Sequence, residues 1–356
     1  MRKTIFAMLM AMATTASSLF AQDIGPAVPA PVVTTLSDNG PGSLRQILLS
    51  AGPGIMIKFA TNLSGGTILL TNGLIALTVN VTIDASTLTG GIQIDGDHKS
   101  SIFLVNNGVT AVLDGLTLTN GNSTNGVGGA IFSEGNLTLN NCKLVNNQCG
   151  GTAGALGCAF GSLVMNGTTV SGNLCGNCSA IYIQDQPATL TGCTISGNQG
   201  SAGDALRLQA GYGNPTLFVV NSTFSGNVAA SSVGAAVSIM SVTGFTATAY
   251  FTNCTVASNL VQQATQPGAI FLQSGGGTNI LTLYNSIVSG NTSGGAPGDI
   301  TGLVAPGSSF NLIGVGGGLV NGSNGNQVGI ENPQLAALGN YVGVTQTMPP
   351  LPGSPV

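Results

Sequence analysis

Charge is the scarcest commodity in this chain: of 356 residues only 5% are Asp, Glu, Lys or Arg, there is one histidine, and tryptophan is absent. So little positive charge excludes a nucleic-acid binder, which needs a basic surface to neutralise phosphates. It equally excludes a solvated coiled coil or a charge-rich disordered tail. Zinc chemistry is excluded by the lone His98, because a tetrahedral site needs more ligands than this sequence brings together. Neither a Gly-x-Ser-x-Gly elbow nor a phosphate-binding Walker loop occurs. After the N-terminal segment no run of about 18 apolar residues remains, so no spanning helix is expected. A membrane β-barrel would need many more strands than the chain has left after its repeats.

In place of charge there are 55 glycines and an abundance of Asn, Ser and Thr, which must supply the polar surface. The N-terminus, MRKTIFAMLMAMATTASSLFAQ, has Arg2 and Lys3, an apolar run and small residues ending at Ala21. This reads as a signal peptide over residues 1–21, with a linker over 22–32, and implies a secreted or cell-surface protein.

The glycine- and asparagine-rich remainder is periodic. The phrase NSTFSGN (221–227) recurs as NCKLVNN at 141, GTTVSGN at 167, GCTISGN at 192, NCTVASN at 253 and NSIVSGN at 285. The closing residues are Asn147, Asn173, Asn198, Asn227, Asn259 and Asn291. A second marker keeps step: Ala130-Ile131, Ala155-Leu156, Ala180-Ile181, Ala205-Leu206, Ala236-Val237 and Ala269-Ile270. A period of about 25 residues, lengthening to about 32, indicates a solenoid. Within each copy apolar residues alternate with polar ones, as in Leu137, Leu139, then Cys142, Leu144, which is strand periodicity broken by a bend. The fold predicted is all-β: a right-handed single-stranded parallel β-helix, the pectin-lyase-like solenoid, of roughly nine or ten coils. Leucine-rich repeats are the alternative, but no copy has their leucine spacing.

Register then assigns the side chains. In NSTFSGN, Ser222 and Phe224 should point inward and Thr223 outward, with Gly226-Asn227 at a corner. The closing asparagines should stack and hydrogen-bond from coil to coil. The opening Asn-Ser-Thr triplet is also a formal sugar acceptor, but Gly replaces Asn221 in two copies, as a bend allows. Cys142, Cys193 and Cys254 share one inward position with Thr168 and Ser222 between them, too far apart for disulfides. Cys149 and Cys175 lie at equivalent places on adjacent coils, where a disulfide is geometrically allowed. CGNC (175–178) resembles a redox motif but falls on a loop.

An open stack must be covered at its ends. GPGSLRQILLSAG should form a short N-terminal capping helix: Ser43 and Gln46 make a capping-box pattern, and Leu44, Ile47, Leu48 and Ala51 share one face. The expected organisation is an N-terminal cap over 33–60, repeats over 61–312, and a Pro-rich C-terminal cap or anchor-proximal region over 313–356. That last region is expected to be truncated.

VTTLSDNGPGSLRQILLSAG resembles the N-terminal motif of exported bacterial β-helix proteins named for a Cys-Ser-Leu-Arg-Glu-Ala signature, with Gly42 in place of Cys and Gln46 in place of Glu. ENPQLAALGNYVGVTQTMPPLPGSPV resembles the choice-of-anchor-type C-terminal region that such proteins carry. Gly128-Gly129-Ala130-Ile131 and Phe224-Ser225-Gly226-Asn227 are similar to the repeats of chlamydial polymorphic outer-membrane proteins, whose autotransporter barrel this chain lacks. The resemblance covers roughly 32 to 356. It implies a right-handed β-helix at the surface or outside the cell, adhesion or binding more than catalysis, and no catalytic residues or cofactors.

Chemistry on a β-helix would need clustered carboxylates with Ca²⁺ and a base, or a carboxylate pair at defined separation. Glu134 and Asp185 fall on one side but two coils apart, and Asp204 and Asp299 have no acidic neighbour on an adjacent coil. Arg207 and Lys143 are the cations of the repeat. IDGDHKS, with Asp95, Asp97, His98 and Lys99, is the densest charged stretch and suits a polar turn. A carbohydrate-active lyase or hydrolase is therefore the alternative to a non-catalytic rod. The longer segments after Ala205, Ala236 and Ala269 are candidates for a binding face. Tyr212 and Phe245 would project there with Asn214, Gln209 and Gln273 nearby, suiting a glycan or a surface protein.

Overall fold

The computed structural model describes residues 30–356, apart from 125, 177–178, 201–203, 231–233 and 264–267. The signal peptide, most of the linker and Cys178 lie outside the described residues.

The chain winds into a parallel β-helix. Each full coil visits four sheets, as in Asn136–Asn140, Lys143–Val145, Gln148–Cys149 and Ala153–Cys158. We number these sheets 1 to 4 in that order; they contain 10, 11, 8 and 10 strands, and one terminal pair in sheet 3 alone runs antiparallel. One of the four is a two-residue strand, as in Gln148–Cys149, directly after the closing asparagine where the corner is expected. Strand neighbours stay in register, so identical positions stack: Leu139 over Met165 over Leu190 over Val219 over Phe251 over Leu283. The inward file is fully buried and forms one continuous core. At about 4.8 Å per coil, the ten coils make a rod of roughly 45 Å.

The corners follow from backbone chemistry. Between sheets 1 and 2 the chain needs a left-handed residue, supplied by Asn141, Asn221, Asn253 and Asn285 at φ 46–54° and by Gly167 and Gly192. Asn and Gly tolerate this region best, so Asn221 of the acceptor triplet is a corner residue.

The lengthened period is absorbed mainly into strands. In sheet 1 the four-residue strands Leu163–Asn166 and Ala188–Thr191 give way to the seven-residue strands Thr246–Thr252 and Thr278–Tyr284. The rod widens toward its C-terminal end while the turn at 243–245 stays tight.

The N-terminal cap is welded to the first coils. Leu44–Leu49 forms the expected helix, with Ser43 Oγ accepting from Gln46 N at 3.2 Å and Leu44 buried. Asp38, buried, accepts from Arg45 Nε at 2.8 Å, and its other oxygen accepts from the Thr71 and Asn72 amides at 2.9 and 2.8 Å. Arg45 also donates to the carbonyls of Gly73 and Leu74. Gly42 has φ +80°, and a Cβ there would meet Thr34 Oγ1 at 2.2 Å, so glycine fits where the signature has Cys. The cap is not separate from the rod: Val32–Val33 and Ile55–Phe59 already belong to sheet 1.

At the other end the solenoid runs past 312, to Gln327–Val328 in sheet 2. Residues 331–356 then leave the stack. They form an irregular hairpin, closed by Gly339 and Thr347 exchanging backbone hydrogen bonds at 3.0 Å, which lies back along the outside of sheet 2. Thr345 Oγ1 donates to the Gly192 carbonyl at 2.8 Å, Thr194 Oγ1 donates to the Gln346 carbonyl, and Thr223 Oγ1 lies 3.4 Å from Thr347 Oγ1. Val344 reaches the coil of Gly167. Thr223 does point outward as expected, but it is buried, because this strap covers it. Beneath the strap the outward residues are Thr194, Ser196, Thr223, Ser225, Ala257 and Ser289, all small and all buried. Outside its reach the same face carries exposed Lys143.

Candidate functional site

Inside the corner between sheets 2 and 3 runs the ladder of closing asparagines. Each Nδ2 donates to the Oδ1 of the next: Asn147 to Asn173 at 3.0 Å, Asn173 to Asn198 at 2.9 Å, Asn198 to Asn227 at 2.9 Å, Asn227 to Asn259 at 2.8 Å, and Asn259 to Asn291 at 2.8 Å. The same Oδ1 atoms accept the backbone N–H of the preceding asparagine, and each Nδ2 also reaches a carbonyl, as Asn227 does to Ile195 at 3.0 Å. Every polar atom of the buried amide thus has a partner, which burial requires.

Asp299 ends this ladder. Its Oδ1 accepts from Asn291 Nδ2 at 2.7 Å and Asn291 N at 3.1 Å, and its Oδ2 from Val315 N at 2.9 Å. It stands at the alanine-marker position, since Ile270 pairs with Ile300. Burial pushes its carboxyl above the ordinary range despite these hydrogen bonds. Its role is structural.

The cysteine file is a second internal ladder. Thiols and hydroxyls at this position donate to a carbonyl of the preceding coil: Cys142 to Leu113 at 3.4 Å, Thr168 to Leu139 at 3.3 Å, Cys254 to Val219 at 3.3 Å. Burial pushes the Cys142 and Cys254 thiols up to about 12 and Cys193 to about 11, so these thiols stay protonated and unreactive at neutral pH. Cys149 and Cys175 are register partners, as expected, but no disulfide joins them. Side chains in register on parallel strands stay about 4.8 Å apart, wider than the usual Cβ spacing of a disulfide. Cys149 Sγ instead accepts from Gly151 N and contacts the Gly126 carbonyl, both at 3.2 Å.

Of the remaining carboxylates, Asp84 and Asp114 are register partners on adjacent coils of sheet 1, with Lys58 Nζ 3.9 Å from Asp84 Oδ2, and Asp185, Asp204 and Asp299 stand apart from them and from one another. Asp185 Oδ1 accepts three successive amides, Gly211, Tyr212 and Gly213, at 2.6, 2.9 and 3.0 Å, and so caps the loop that carries Tyr212. Asp204 is buried beside Arg207, whose Nε lies 3.4 Å from Oδ2, and burial pushes its carboxyl up against the opposing effect of Arg207 and Ser238. Its strand and that of Asp299 are three coils apart. In IDGDHKS, Asp97 and His98 are both left-handed, Asp95 accepts from the Asp97 amide and from Asn120, and Lys99 pairs with Asp97. It is a self-contained polar turn. Among the described residues no group of three His, Cys, Asp or Glu could hold a metal ion, and no helix is long and apolar enough to cross a membrane.

The five residues expected on a binding face are not gathered into one site; Gln209 is half-buried in sheet 4, in register with Gln184 and Met240. Tyr212 is 84% exposed. Asn214 Oδ1 accepts from Thr246 N at 2.7 Å and holds the neighbouring coil's strand. Phe245 does not project: it is half-buried against the core, in a turn closed by its own N–H to the Val242 carbonyl at 3.1 Å. The reason is the strand extension above, which leaves no protruding loop there. Gln273 is half-buried in sheet 4, in register with Met240.

Other aromatics do come together. On the outer face of sheet 1, Phe218 and Tyr250 stack at 5.2 Å with planes 10° apart. Both stand three residues before a corner asparagine, Asn221 and Asn253, a regularity visible in the sequence. Where sheets 1 and 2 meet near the C-terminal end, a groove of about 370 Å³ is lined by Asn253, Asn285, Phe310, Gln327 and Val356, among others.

No family model matches this chain. No curated protein matches it. Among solved structures, the alginate lyase from Paenibacillus sp. str. FPU-7 is similar over 77% of this chain and 98% of that one, at 13% identity and a TM-score of 0.27. A likeness at that level assigns neither a substrate nor a reaction to this chain.

Proposed function

We propose that this protein is an exported β-helix rod that works at the cell surface or outside the cell by binding, in an adhesin-like or structural role. One observation carries this reading: Asp185, Asp204 and Asp299, the carboxylates of the later coils, are spent on the architecture of the rod. Asp299 closes the amide ladder, Asp185 caps a loop through three amides, and Asp204 faces Arg207 inside the wall. No two of them flank a common groove, as paired acid–base or lyase chemistry needs. Export is supported by the basic, apolar and small-residue pattern of residues 1–21. Among ligands, a glycan or a surface protein suits exposed aromatics beside amides.

A second reading, a carbohydrate-active enzyme, is favoured by one specific feature, the buried carboxyl of Asp204 beside Arg207 in the wall of the rod. Buried carboxylates with raised pKa beside a cation mark active sites often enough to merit a test. The deciding experiment incubates the full chain with acidic and neutral polysaccharides, with and without Ca²⁺. Retention on one of them without release of unsaturated or reducing ends supports the binding reading. Release of ends that disappears in Asp204→Asn or Asp299→Asn establishes the enzyme instead.

A further inference from the structure

We infer that the groove at Phe310 is a subsite for one unit of an uncharged polysaccharide, with the Phe310 ring as its stacking face. This rests on the reading of the chain as a binding rod and names the ligand class and the place.

The left-handed corner between sheets 1 and 2 is a file of Asn and Gly in the coils from 141 to 285, and then Phe310, at φ +57°, takes the next place. A bulky aromatic is an unfavourable choice for that backbone, and such outliers cluster at functional positions. The scaffold makes room for it. Gly325 occupies the following place in the file, and a Cβ there would come within 2.6 Å of the Phe310 ring. One ring edge therefore rests on a glycine, while the side chain as a whole remains 70% exposed. An aromatic that the fold needed for its core would be buried; this one is held out at a strained position.

The groove beside it is polar, and the side chains that line it are uncharged. Along its floor an outer amide ladder descends, Asn253 Nδ2 to Asn221 Oδ1 at 3.1 Å and Asn285 Nδ2 to Asn253 Oδ1 at 2.8 Å. The next residue in the file would continue it, but Phe310 has no amide, so the ladder ends with Asn285 Oδ1 as an acceptor facing the groove. Gln327 stands opposite, its Nε2 donating to the Pro355 carbonyl of the strap at 3.1 Å, which leaves its Oε1 as a further acceptor. Among the described residues no Asp, Glu, Lys, Arg or His side chain lines the groove, and a carboxylate on Val356 at its edge would repel acidic sugars further. An apolar ring face with hydroxyl-binding amides around it fits the CH face and hydroxyl rim of a pyranose. Absence of a cation makes it a poor site for uronates such as alginate or pectate, whose carboxylates ask for Arg, Lys or Ca²⁺. The volume of about 370 Å³ falls at the lower end for ligand pockets and suits one sugar unit of a chain running along the rod.

The test is titration calorimetry of the full chain with soluble β-1,3-glucan, β-1,4-glucan and mannan, with alginate and polygalacturonate as charged comparators. Wild type is expected to bind at least one neutral glycan. Phe310→Asn restores the residue used elsewhere in the file, so it should raise the melting temperature while weakening that binding about tenfold or more. Phe310→Tyr should keep it. Undiminished binding by a folded Phe310→Asn protein, or binding of the acidic polymers alone, overturns the inference and leaves the binding-rod reading standing. Absence of any glycan binding together with retained attachment to cells does the same. Loss of both attachment and glycan binding in wild type overturns both.

Discussion

Asn227 Nδ2 lies 2.8 Å from Asn259 Oδ1, inside a rod where both residues are almost completely excluded from solvent. This contact repeats along the rod and ties coils whose sequences otherwise differ. Replacing Asn227 by Ala strands the Asn198 backbone N–H in the interior and removes one partner each from the Asn198 amide, the Ile195 carbonyl and Asn259 Oδ1. A stranded group costs about 1–3 kcal/mol and the lost hydrogen bonds add to it, less what local rearrangement recovers, so Asn227→Ala should lose about 3 kcal/mol or more. Urea unfolding measures this; a loss below about 0.5 kcal/mol, the range of neutral surface changes, contradicts the ladder's role.

The strap gives a test that a bare solenoid would fail. Were Thr223 an ordinary outward residue, Thr223→Lys would be neutral. Because Thr347 and its neighbours lie over it, a lysine should displace the hairpin. Limited proteolysis is expected to cut within 340–347 far faster in this variant than in wild type. Lys143→Thr, on the same face beyond the strap, should leave the cutting rate unchanged.

Arg45 joins the cap helix to the turn at 71–74, through Asp38 and two carbonyls. Removing one partner of a buried pair leaves the other charge uncompensated, so Arg45→Ala should cost about 3 kcal/mol. Hydrogen exchange should rise first in the strands at 55–59 and 81–84, which the cap shields. Uniform loosening of the whole rod would contradict a local role.

Acid titration separates the two kinds of buried carboxylate. Burial raises Asp299, so the folded chain holds that proton more tightly than the unfolded chain. Its stabilising contribution is fully present below the unfolded value of about 3.9 and is lost as pH rises through the folded value. Burial alone would raise Asp38 too, but hydrogen bonds from Asn72, Arg45 and the Thr71 amide outweigh it and lower the carboxyl. Its contribution is present above about 3.9 and is lost as pH falls through the folded value. Raising pH from about 3.5 to about 7 should therefore shift the stability difference in favour of Asp299→Asn and against Asp38→Asn. A difference independent of pH in either variant contradicts the assignment.

The sequence announced the solenoid because its signals are local and repeated: alternation in Leu137 and Leu139, corner glycines and asparagines, and the capping Ser43. Stacking in register then turns one observation into many, which is why the ladder could be written down residue by residue. What stayed hidden depends on contacts distant in sequence. Thr223 reads as outward, and only a segment 124 residues later makes it buried. The small outward residues Thr194, Ser196, Ser225 and Ala257 were the available signal that something lies over them. Phe245 misled because an insertion can lengthen a strand as readily as a loop. Phe310 is not legible as a corner residue because its phrase, SSFNLIG, departs from the repeat, and only the backbone places it in the corner file.

Incubation of the full chain with neutral and acidic polysaccharides, with binding and chain cleavage read on the same samples, tests the binding-rod reading most directly. The expected result is retention on a polysaccharide or cell surface with no unsaturated or reducing ends released, with or without Ca²⁺. Release of such ends by the wild-type protein, abolished in a folded Asp204→Asn variant, would contradict it and make the wall around Asp204 and Arg207 an active site.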